Sequence, residues 1–341
     1  MTRRNLLAVA ALAAAGRQVR VTDLPQLPQP IAGHFVGVHA GRLIVAGGTC
    51  WSKPKWEGGD KRWTPAIYTL GPSESEWRKG GEQAEPLAYG GAVSTSAGLV
   101  CIAGQGPAAA SASVHLLFWD GSRVKQRRLA DLPEPRMVLG AVLAGNSIFA
   151  AGGQSSPQAT AAAVTVWELE APDGEWHGAR WRAAPPIPGP GRILPAVAPC
   201  EGGFCVASGA SLSERPSGGL ERKYLLDAFR YQRGAGWIPL PPLAAPVVAA
   251  PACSDASGRF LIFGGDDGVL ASEGPELGPR HPGFRRAILR LEEGDWREIA
   301  SLPESLVTTG IAQWRGALVI PGGEDRPGSR SARVLLIQGV V

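Results

Sequence analysis

A short apolar segment that ends in a pair of glycines, or in a degenerate form of that pair, recurs six times along the chain, roughly every 50 to 58 residues. A buried strand in each unit of such a period is typical of a β-propeller. The paired glycines let the backbone turn where a Cβ atom would clash. The repeat therefore predicts an all-β fold, a six-bladed β-propeller. The six stops are Gly47-Gly48, Gly104-Gln-Gly106, Gly152-Gly153, Ser208-Gly209, Gly264-Gly265 and Gly322-Gly323.

Each repeat follows one order: a proline-bearing segment, strand a facing the central channel, a short glycine turn, strand b up to the glycines, a variable loop, strand c and strand d. The sixth repeat supplies only three strands, the third at residues 332–337. Residues 19–25 resemble the fourth strand and exit of the other blades. We therefore expect the N-terminal strand to complete blade six and close the ring, so that residues 17–341 form a single domain.

Residues 1–16 begin with two arginines, continue with an apolar run of about ten residues and end in small residues, which is typical of an export signal peptide. The apolar run is too short to span a bilayer. Arg3 and Arg4 resemble a twin-arginine signal, and an ordinary Sec signal is equally compatible. We predict an exported protein, periplasmic or secreted, with no membrane insertion after the signal is removed.

The charge and cysteine patterns exclude several other classes. The net charge is +4 and the basic residues are scattered, so no nucleic-acid partner is expected. Cysteine and histidine show no zinc-type spacing, and no metal or cofactor is predicted. Cys200 and Cys205 flank a predicted hairpin tip, where an exported protein has either one disulfide or two buried thiols.

The loops between strands b and c are long and varied, whereas the a–b turns are short, so the b–c face is the expected binding face. Four residues at the predicted starts of a strands, His34, Tyr89, Arg136 and Arg192, are candidates to line the channel mouth and bind substrate. A purely structural role in the channel is the alternative for each. The tryptophans near outer strands are expected to pack between blades rather than to bind sugar. They are Trp77, Trp181, Trp237 and Trp296.

The most informative loop is Gly323-Glu-Asp-Arg-Pro-Gly-Ser-Arg330 in the last blade. Its Pro-Gly turn can bring the Glu324 carboxylate and the Arg330 guanidinium to the same side. A carboxylate at a channel mouth can act as a general acid or base, and an arginine can bind a planar anion such as a sugar carboxylate. The alternative is a surface ion pair, contributing at most about 1 kcal/mol.

Three loops resemble the kelch-type sialic acid mutarotases (N-acetylneuraminate epimerases), in their cyclically permuted branch. The segment 323–330 is similar to that family's G-E-x-x-P-G-x-R-T motif, with Ser331 in place of threonine. Residues 46–63 are similar to G-G-x-N-F-P followed by P-W-E-G-G-K-K-x-W, with Cys50 and Trp51 in place of Asn-Phe. Gly264-Gly-Asp-Asp-Gly268 with His281-Pro-Gly-Phe284 is the third match.

This resemblance implies a kelch-repeat propeller that interconverts the anomers of N-acetylneuraminate or a related acidic sugar. It implies Glu324 as the proton acceptor and Arg330 as a substrate-binding residue, with Arg136 or Arg192 as further candidates to hold the substrate carboxylate. No cofactor is implied.

Two other functions are known for kelch-like rings. A copper radical oxidase needs a Tyr–Cys crosslink and further Tyr and His ligands, and no such set is apparent among the four tyrosines and five histidines. A non-catalytic propeller that binds glycans or protein partners remains the alternative function, because a fold alone does not define an activity.

Overall fold

The computed structural model describes residues 18–171 and 174–340, so the predicted signal peptide at residues 1–16 lies outside the described residues. Six four-stranded antiparallel sheets account for most of the described strands. They are arranged around one axis as the blades of a six-bladed β-propeller, which confirms the fold predicted from the glycine repeat.

Within each blade, strands a to d run from the hub outward, and the first three blades follow the chain order. Blade 1 consists of Phe35–His39, Arg42–Ala46, Ala66–Leu70 and Arg78–Glu82. Blade 2 consists of Gly91–Thr95, Gly98–Gln105, Ala110–Trp119 and Val124–Arg128. Blade 3 consists of Gly140–Ala144, Ser147–Ala151, Val166–Glu170 and Trp181–Ala184.

The remaining blades repeat this order, and the last one takes its outermost strand from the N-terminal segment. Blade 4 consists of Ala196–Cys200, Gly203–Ala207, Ala228–Gln232 and Gly236–Leu240. Blade 5 consists of Ala252–Ser254, Phe260–Gly265, Arg285–Glu292 and Asp295–Ser301. Blade 6 consists of Ala312–Trp314, Ala317–Pro321, Val334–Gln338 and Arg20–Asp23.

The N-terminal strand closes the ring as predicted. Arg20–Asp23 pairs antiparallel with Val334–Gln338, with Arg20 opposite Gln338. The Arg333 guanidinium donates to both carboxylate oxygens of Asp23, at 2.6 and 3.1 Å. Closure through strands from the two ends of the propeller gives blade 6 the same four-stranded sheet as the others.

A closed ring of backbone hydrogen bonds surrounds the hub. Each blade contributes one residue, which lies two to four positions before the start of strand a. Its backbone N–H donates to the carbonyl of the equivalent residue in the preceding blade, at 2.6–3.1 Å. All six have a left-handed φ between 50° and 69°, which is uncommon for residues other than glycine. We call these residues the hub ring. They are Gly33, Tyr89, Val138, Leu194, Ala249 and Thr308.

The paired glycines end strand b with two consecutive left-handed residues. In blade 2 this pair is Ala103-Gly104, with φ of 55° and 117°, rather than the predicted Gly104-Gln-Gly106. The residue after each pair bridges the segment that enters strand a, as in Ala32 with Thr49 and Val307 with Glu324. A Cβ atom on Gly323 would lie 2.6 Å from the Val307 carbonyl oxygen, so this close approach needs glycine. The bridges place the b–c loops and the d–a loops on one face, as predicted.

The four outer tryptophans pack between blades, which confirms their predicted structural role. Each indole N–H donates to a backbone carbonyl in the exit segment of the preceding blade, at 2.8–3.0 Å. For example, Trp77 of blade 1 bonds Pro25, which follows the outer strand of blade 6. These bonds satisfy the polar end of each indole while its rings cover apolar surface.

The b–c loops of blades 1, 4 and 5 carry additional structure. Blade 1 has the hairpin Thr49–Trp51 with Lys61–Trp63 and the 3₁₀ turn Lys55–Glu57. Blade 4 has the hairpin Ala210–Glu214 with Leu220–Tyr224. Blade 5 has the short helix Gly274–Leu277, followed by the 3₁₀ turn Gly278–Arg280. Among the described residues, no helix is long and apolar enough to cross a membrane.

Candidate functional site

A cavity of about 250 Å³ lies over the hub ring on the b–c face. Its floor is formed by hub-ring residues, and its walls come from the b–c loops of blades 4, 5 and 6. A second cavity of about 920 Å³ shares part of this wall and extends outward between the loops of blades 1, 4, 5 and 6. The two cavities together form a funnel at one end of the propeller axis. The wall residues that both cavities share are Arg222, Tyr224, Asp266 and Pro327.

Glu324 is the first residue after the glycine pair of blade 6, and its carboxylate lines the inner cavity. The bridge from Glu324 to Val307 fixes the backbone at this position, with N–H···O distances of 2.8 and 3.0 Å. The side chain is 19% exposed, so it is largely desolvated but still open to the cavity. The Thr308 hydroxyl of the hub ring hydrogen-bonds to it.

Arg330 lies behind this carboxylate. Its Nη1 atom is 3.0 Å from Glu324 Oε1, and its side chain is only 5% exposed. Its Nη2 atom donates to the hydroxyls of Thr49 and Tyr89, both at 3.2 Å, and the two hydroxyls are 2.9 Å apart. The guanidinium also lies 5.7 Å from the ring centre of Trp51. Loops of blades 1 and 6 and the hub ring thus hold Arg330 in a single orientation.

Burial raises the pKa of the Glu324 carboxyl above its usual range. The positive charges of Arg330 and Lys61 and the Thr308 hydrogen bond oppose that rise. Lys61 lies over the ring of Tyr89, with its Nζ atom 4.5 Å from the ring centre. A carboxyl group with a raised pKa that faces a cavity is suited to accept and return a proton near neutral pH.

A second carboxylate lines the cavity at the equivalent position of blade 5. Asp266 Oδ2 accepts a hydrogen bond from the Tyr224 hydroxyl at 2.9 Å, and Oδ1 accepts the Gly268 N–H at 2.9 Å. Burial and the adjacent carboxylate raise the pKa of the Tyr224 hydroxyl, which therefore stays protonated. Phe284 supplies an apolar wall beside this pair.

Of the four residues predicted at the channel mouth, only Tyr89 is brought to Glu324. All four precede strand a by a few residues, but they occupy three different positions relative to the hub-ring residue of their blade. Tyr89 is a hub-ring residue, His34 follows the hub-ring residue Gly33, and Arg136 and Arg192 precede their hub-ring residues by two positions. A shift of one or two residues in extended chain redirects the side chain, so the four point to different surroundings.

Arg136 and Arg192 are structural residues inside their own blades and do not line the cavity. Arg192 is fully buried and binds both carboxylate oxygens of Asp227, at 2.9 and 3.0 Å. Arg136 is 4% exposed and bonds Glu134 and the Thr165 hydroxyl. Both guanidinium groups are buried against these partners and away from the cavity, so we no longer expect either arginine to hold the substrate carboxylate.

His34 lies on the other side of the hub ring, facing the channel. Its Nε2 atom is 2.9 Å from the Pro321 carbonyl oxygen and 3.2 Å from the Thr309 hydroxyl. Burial lowers the pKa of its imidazole to about 4, against the backbone hydrogen bond, which raises it. His34 is therefore neutral at pH 7 and supports the floor of the site without lining the inner cavity.

Four residues of the site were not predicted individually from the sequence. Asp266 and Tyr224 line the inner cavity, whereas Thr49 bonds Arg330 and Lys61 acts on Glu324 through its charge. Lys61 and Asp266 lie inside the loops that resemble the mutarotases, so the sequence indicated the loop but not the individual residue. Thr49 and Tyr224 carried no signal, because a buried hydroxyl acquires its role only from the partner that folding brings to it.

The structure offers no metal centre within residues 18–171 and 174–340, where no group of three or more His, Cys, Asp or Glu side chains could hold an ion. Cys200 and Cys205 are both free thiols. A hydrogen bond between them lowers the pKa of Cys200 and raises that of Cys205.

The fold and this site define a six-bladed propeller with a buried carboxylate–guanidinium pair at its axial mouth. In sequence, the chain is similar to N-acetylneuraminate epimerase 1 of Escherichia coli O6:H1, with 31% identity over 109 residues. That alignment spans 30% of this chain and 29% of the relative's length. No protein-family model matches the chain.

In structure, the chain is similar to the protein solved as "Structure of YjhT", with a TM-score of 0.68 at 15% identity. The superposition covers 92% of this chain and 97% of that one, which extends the shared propeller fold over nearly the whole molecule. The partial sequence match confirms the resemblance to the sialic acid mutarotases that the loop motifs indicated.

Proposed function

We propose that this protein is a sugar mutarotase that interconverts the α and β anomers of N-acetylneuraminate or a related acidic sugar. The observation that carries the proposal is the Glu324 carboxylate, which faces a sugar-sized cavity, has a raised pKa and is held by the buried Arg330. The sequence similarity to an N-acetylneuraminate epimerase supports the same substrate class.

In the proposed reaction, ionised Glu324 takes the proton of the anomeric hydroxyl while the bond from the anomeric carbon to the ring oxygen breaks. Protonated Glu324 returns that proton to the former ring oxygen, and the open-chain ketone forms with Glu324 ionised again. Rotation about the adjacent carbon–carbon bond presents the other face of the carbonyl. Closure then reverses the proton transfers, so that no proton, electron or atom is gained or lost.

Arg330 has a different part in this proposal from the one the resemblance implies. Its guanidinium is behind Glu324 and outside the lining of the inner cavity. We assign it as a positioning residue, which orients the carboxylate and limits the rise in its pKa. Tyr89 and Thr49 hold Arg330 in turn through their hydroxyls.

Proton NMR of freshly dissolved anomerically pure N-acetylneuraminate tests the proposal, because the approach to anomeric equilibrium is read directly from separate signals. We expect wild-type protein to accelerate the approach and Glu324→Gln to abolish at least 99% of the added rate, since loss of a general base costs about 10²–10⁴-fold. Glu201→Gln, on an exposed turn of the opposite face, is the matched control. Equal rates for wild type and Glu324→Gln would leave the non-catalytic binding propeller as the better assignment.

A further inference from the structure

Two cationic side chains, Arg330 and Lys61, act on the Glu324 carboxylate, and a third, Arg222, lines the same inner cavity as that carboxylate. Arg330 is buried and bonded to Glu324, Thr49 and Tyr89. Lys61 lies between two aromatic rings, with its Nζ atom 4.5 Å from the ring centre of Tyr89 and 4.9 Å from that of Trp63. Neither side chain is part of the cavity lining.

Arg222 is the third cation, and it lines both the inner cavity and the outer one. It lies on the second strand of the blade 4 hairpin, opposite Leu212, and is exposed. Within the part of the chain that the structure describes, its guanidinium has no ion-pair or hydrogen-bond partner. Its donors are therefore available at the junction of the two cavities.

A second carboxylate of the cavity wall, Asp266, forms no ion pair with Arg222 among the residues that the structure describes. Both of its oxygens are already bonded, one to the Tyr224 hydroxyl and one to the Gly268 N–H. The Tyr224 hydroxyl feels the charges of both Asp266 and Arg222, which places all three groups on the same wall. Arg222 thus presents its guanidinium to the cavity from blade 4, beside the hydrogen-bonded Asp266, while the carboxylate of Glu324 faces it from blade 6.

We propose that Arg222 is the residue that binds the substrate's carboxylate, and that Arg330 is not. The inference rests on the proposed function and names the side chain that selects an acidic sugar. A planar guanidinium with free donors can hold a carboxylate through two parallel hydrogen bonds. In a sialic acid the carboxylate is attached to the anomeric carbon itself, so a carboxylate held by blade 4 presents that carbon to Glu324 of blade 6.

This arrangement also explains how one carboxylate could serve both anomers. The bond between the carboxylate and the anomeric carbon persists in the α form, the β form and the open-chain ketone. A ligand anchored there keeps its reacting carbon in place while the rest of the chain rotates into the outer cavity. The outer cavity of about 920 Å³ supplies that space.

The test compares binding of N-acetylneuraminate with that of its C1 carboxamide, which has a similar shape and no charge. Isothermal titration calorimetry gives both affinities, and proton NMR gives the anomer exchange rates. We expect wild type to bind the acid about 10–100-fold more tightly than the amide. Arg222→Gln should lose that preference, with a raised KM for the acid and a nearly unchanged kcat. Lys223→Gln carries the same charge change on the adjacent residue, outside the cavity lining, and is the matched control.

The outcomes separate this inference from the proposed function. An Arg222→Gln protein that keeps the preference for the acid overturns the assignment of Arg222, as does loss of the preference in Lys61→Gln or Arg330→Gln alone. If wild type prefers the acid through Arg222 but shows no anomer exchange, the proposed mutarotase function is wrong and the carboxylate site at Arg222 is still supported. If wild type binds neither sugar, both are overturned.

Discussion

Arg330 and Glu324 form an ion pair, with Nη1 and Oε1 3.0 Å apart, across a turn of the last b–c loop. The guanidinium is almost completely buried while the carboxylate reaches the cavity. This asymmetry makes the arginine a partner of the carboxylate rather than of a ligand, and it couples the protonation of Glu324 to a fixed positive charge.

Removal of that charge should move the pH profile of anomer exchange. Burial already raises the pKa of Glu324, and Arg330 opposes the rise. Arg330→Met should therefore raise this pKa further. Because the base must be ionised, the acidic limb of the rate profile should shift to higher pH, with the rate at low pH falling most. The profile of kcat/KM measured by NMR between pH 4 and 8 checks this.

The control for this shift is Arg326→Met, which removes a neighbouring arginine that pairs with Asp325 instead. Its acidic limb should stay close to that of wild type. An Arg330→Met limb at the wild-type position would show that Arg330 does not tune Glu324.

Gly33→Ala should damage both the hub ring and the site. Gly33 has a φ of 69°, and a Cβ atom there would lie 2.6 Å from the ring of Tyr89. Tyr89 would have to move, and its hydroxyl would leave Arg330. We expect a loss of about 1–3 kcal/mol in the free energy of unfolding, measured by urea denaturation, together with slower anomer exchange.

Gly145→Ala provides the comparison, because Gly145 has a φ of 59° and open space around its Cβ position. The Gly145→Ala variant should lose only the free energy that a left-handed φ costs an alanine, with no steric clash in addition. If both variants lose the same stability and activity, the contact between Gly33 and Tyr89 has no role of its own.

Arg192→Met should destabilise the protein without weakening substrate binding. The variant leaves Asp227 without the guanidinium that binds both of its oxygens. Because the Asp227 side chain is 33% exposed, water can still solvate its carboxylate, and we expect a loss of about 1–3 kcal/mol, seen as a lower urea midpoint. The affinity of the folded variant for N-acetylneuraminate, measured by calorimetry, should match wild type within about twofold. If the variant is fully folded but binds N-acetylneuraminate much more weakly, Arg192 does contribute to substrate binding.

His34 should make the protein less stable in acid. Its pKa is about 4 in the folded protein and 6.5 in the unfolded chain. The unfolded state therefore takes up the proton first, and the free energy of unfolding should fall as pH decreases from about 6.5 to 4. At about 1.4 kcal/mol per pKa unit, the loss is on the order of 3 kcal/mol.

Urea denaturation of wild type and His34→Gln at several pH values isolates this contribution. The difference in unfolding free energy between the two proteins should change in the variant's favour as pH falls through this range. A difference that is constant with pH would show that His34 does not titrate with folding.

The repeat pattern was sufficient to predict six blades, the strand order within them and the closing N-terminal strand. These features depend on local turn chemistry and on hydrophobic alternation, which the sequence displays directly. The tryptophans between blades were also predictable, because the same position recurs in several repeats. The blade 2 glycine pair was misplaced by one residue, since Ala103 adopts a left-handed φ that favours glycine.

The sequence by itself determined the ring, the face that carries the long loops and Glu324 as a candidate base. Only the tertiary structure decided which arginine can meet a ligand. Arg136, Arg192 and Arg330 look alike in sequence as cations near loops, yet folding buries each of them against acceptors of the protein itself. Arg222 has no distinctive sequence context and is left free. The reason is physical: a guanidinium's availability depends on the acceptors within about 3 Å of it, and those come from distant parts of the chain.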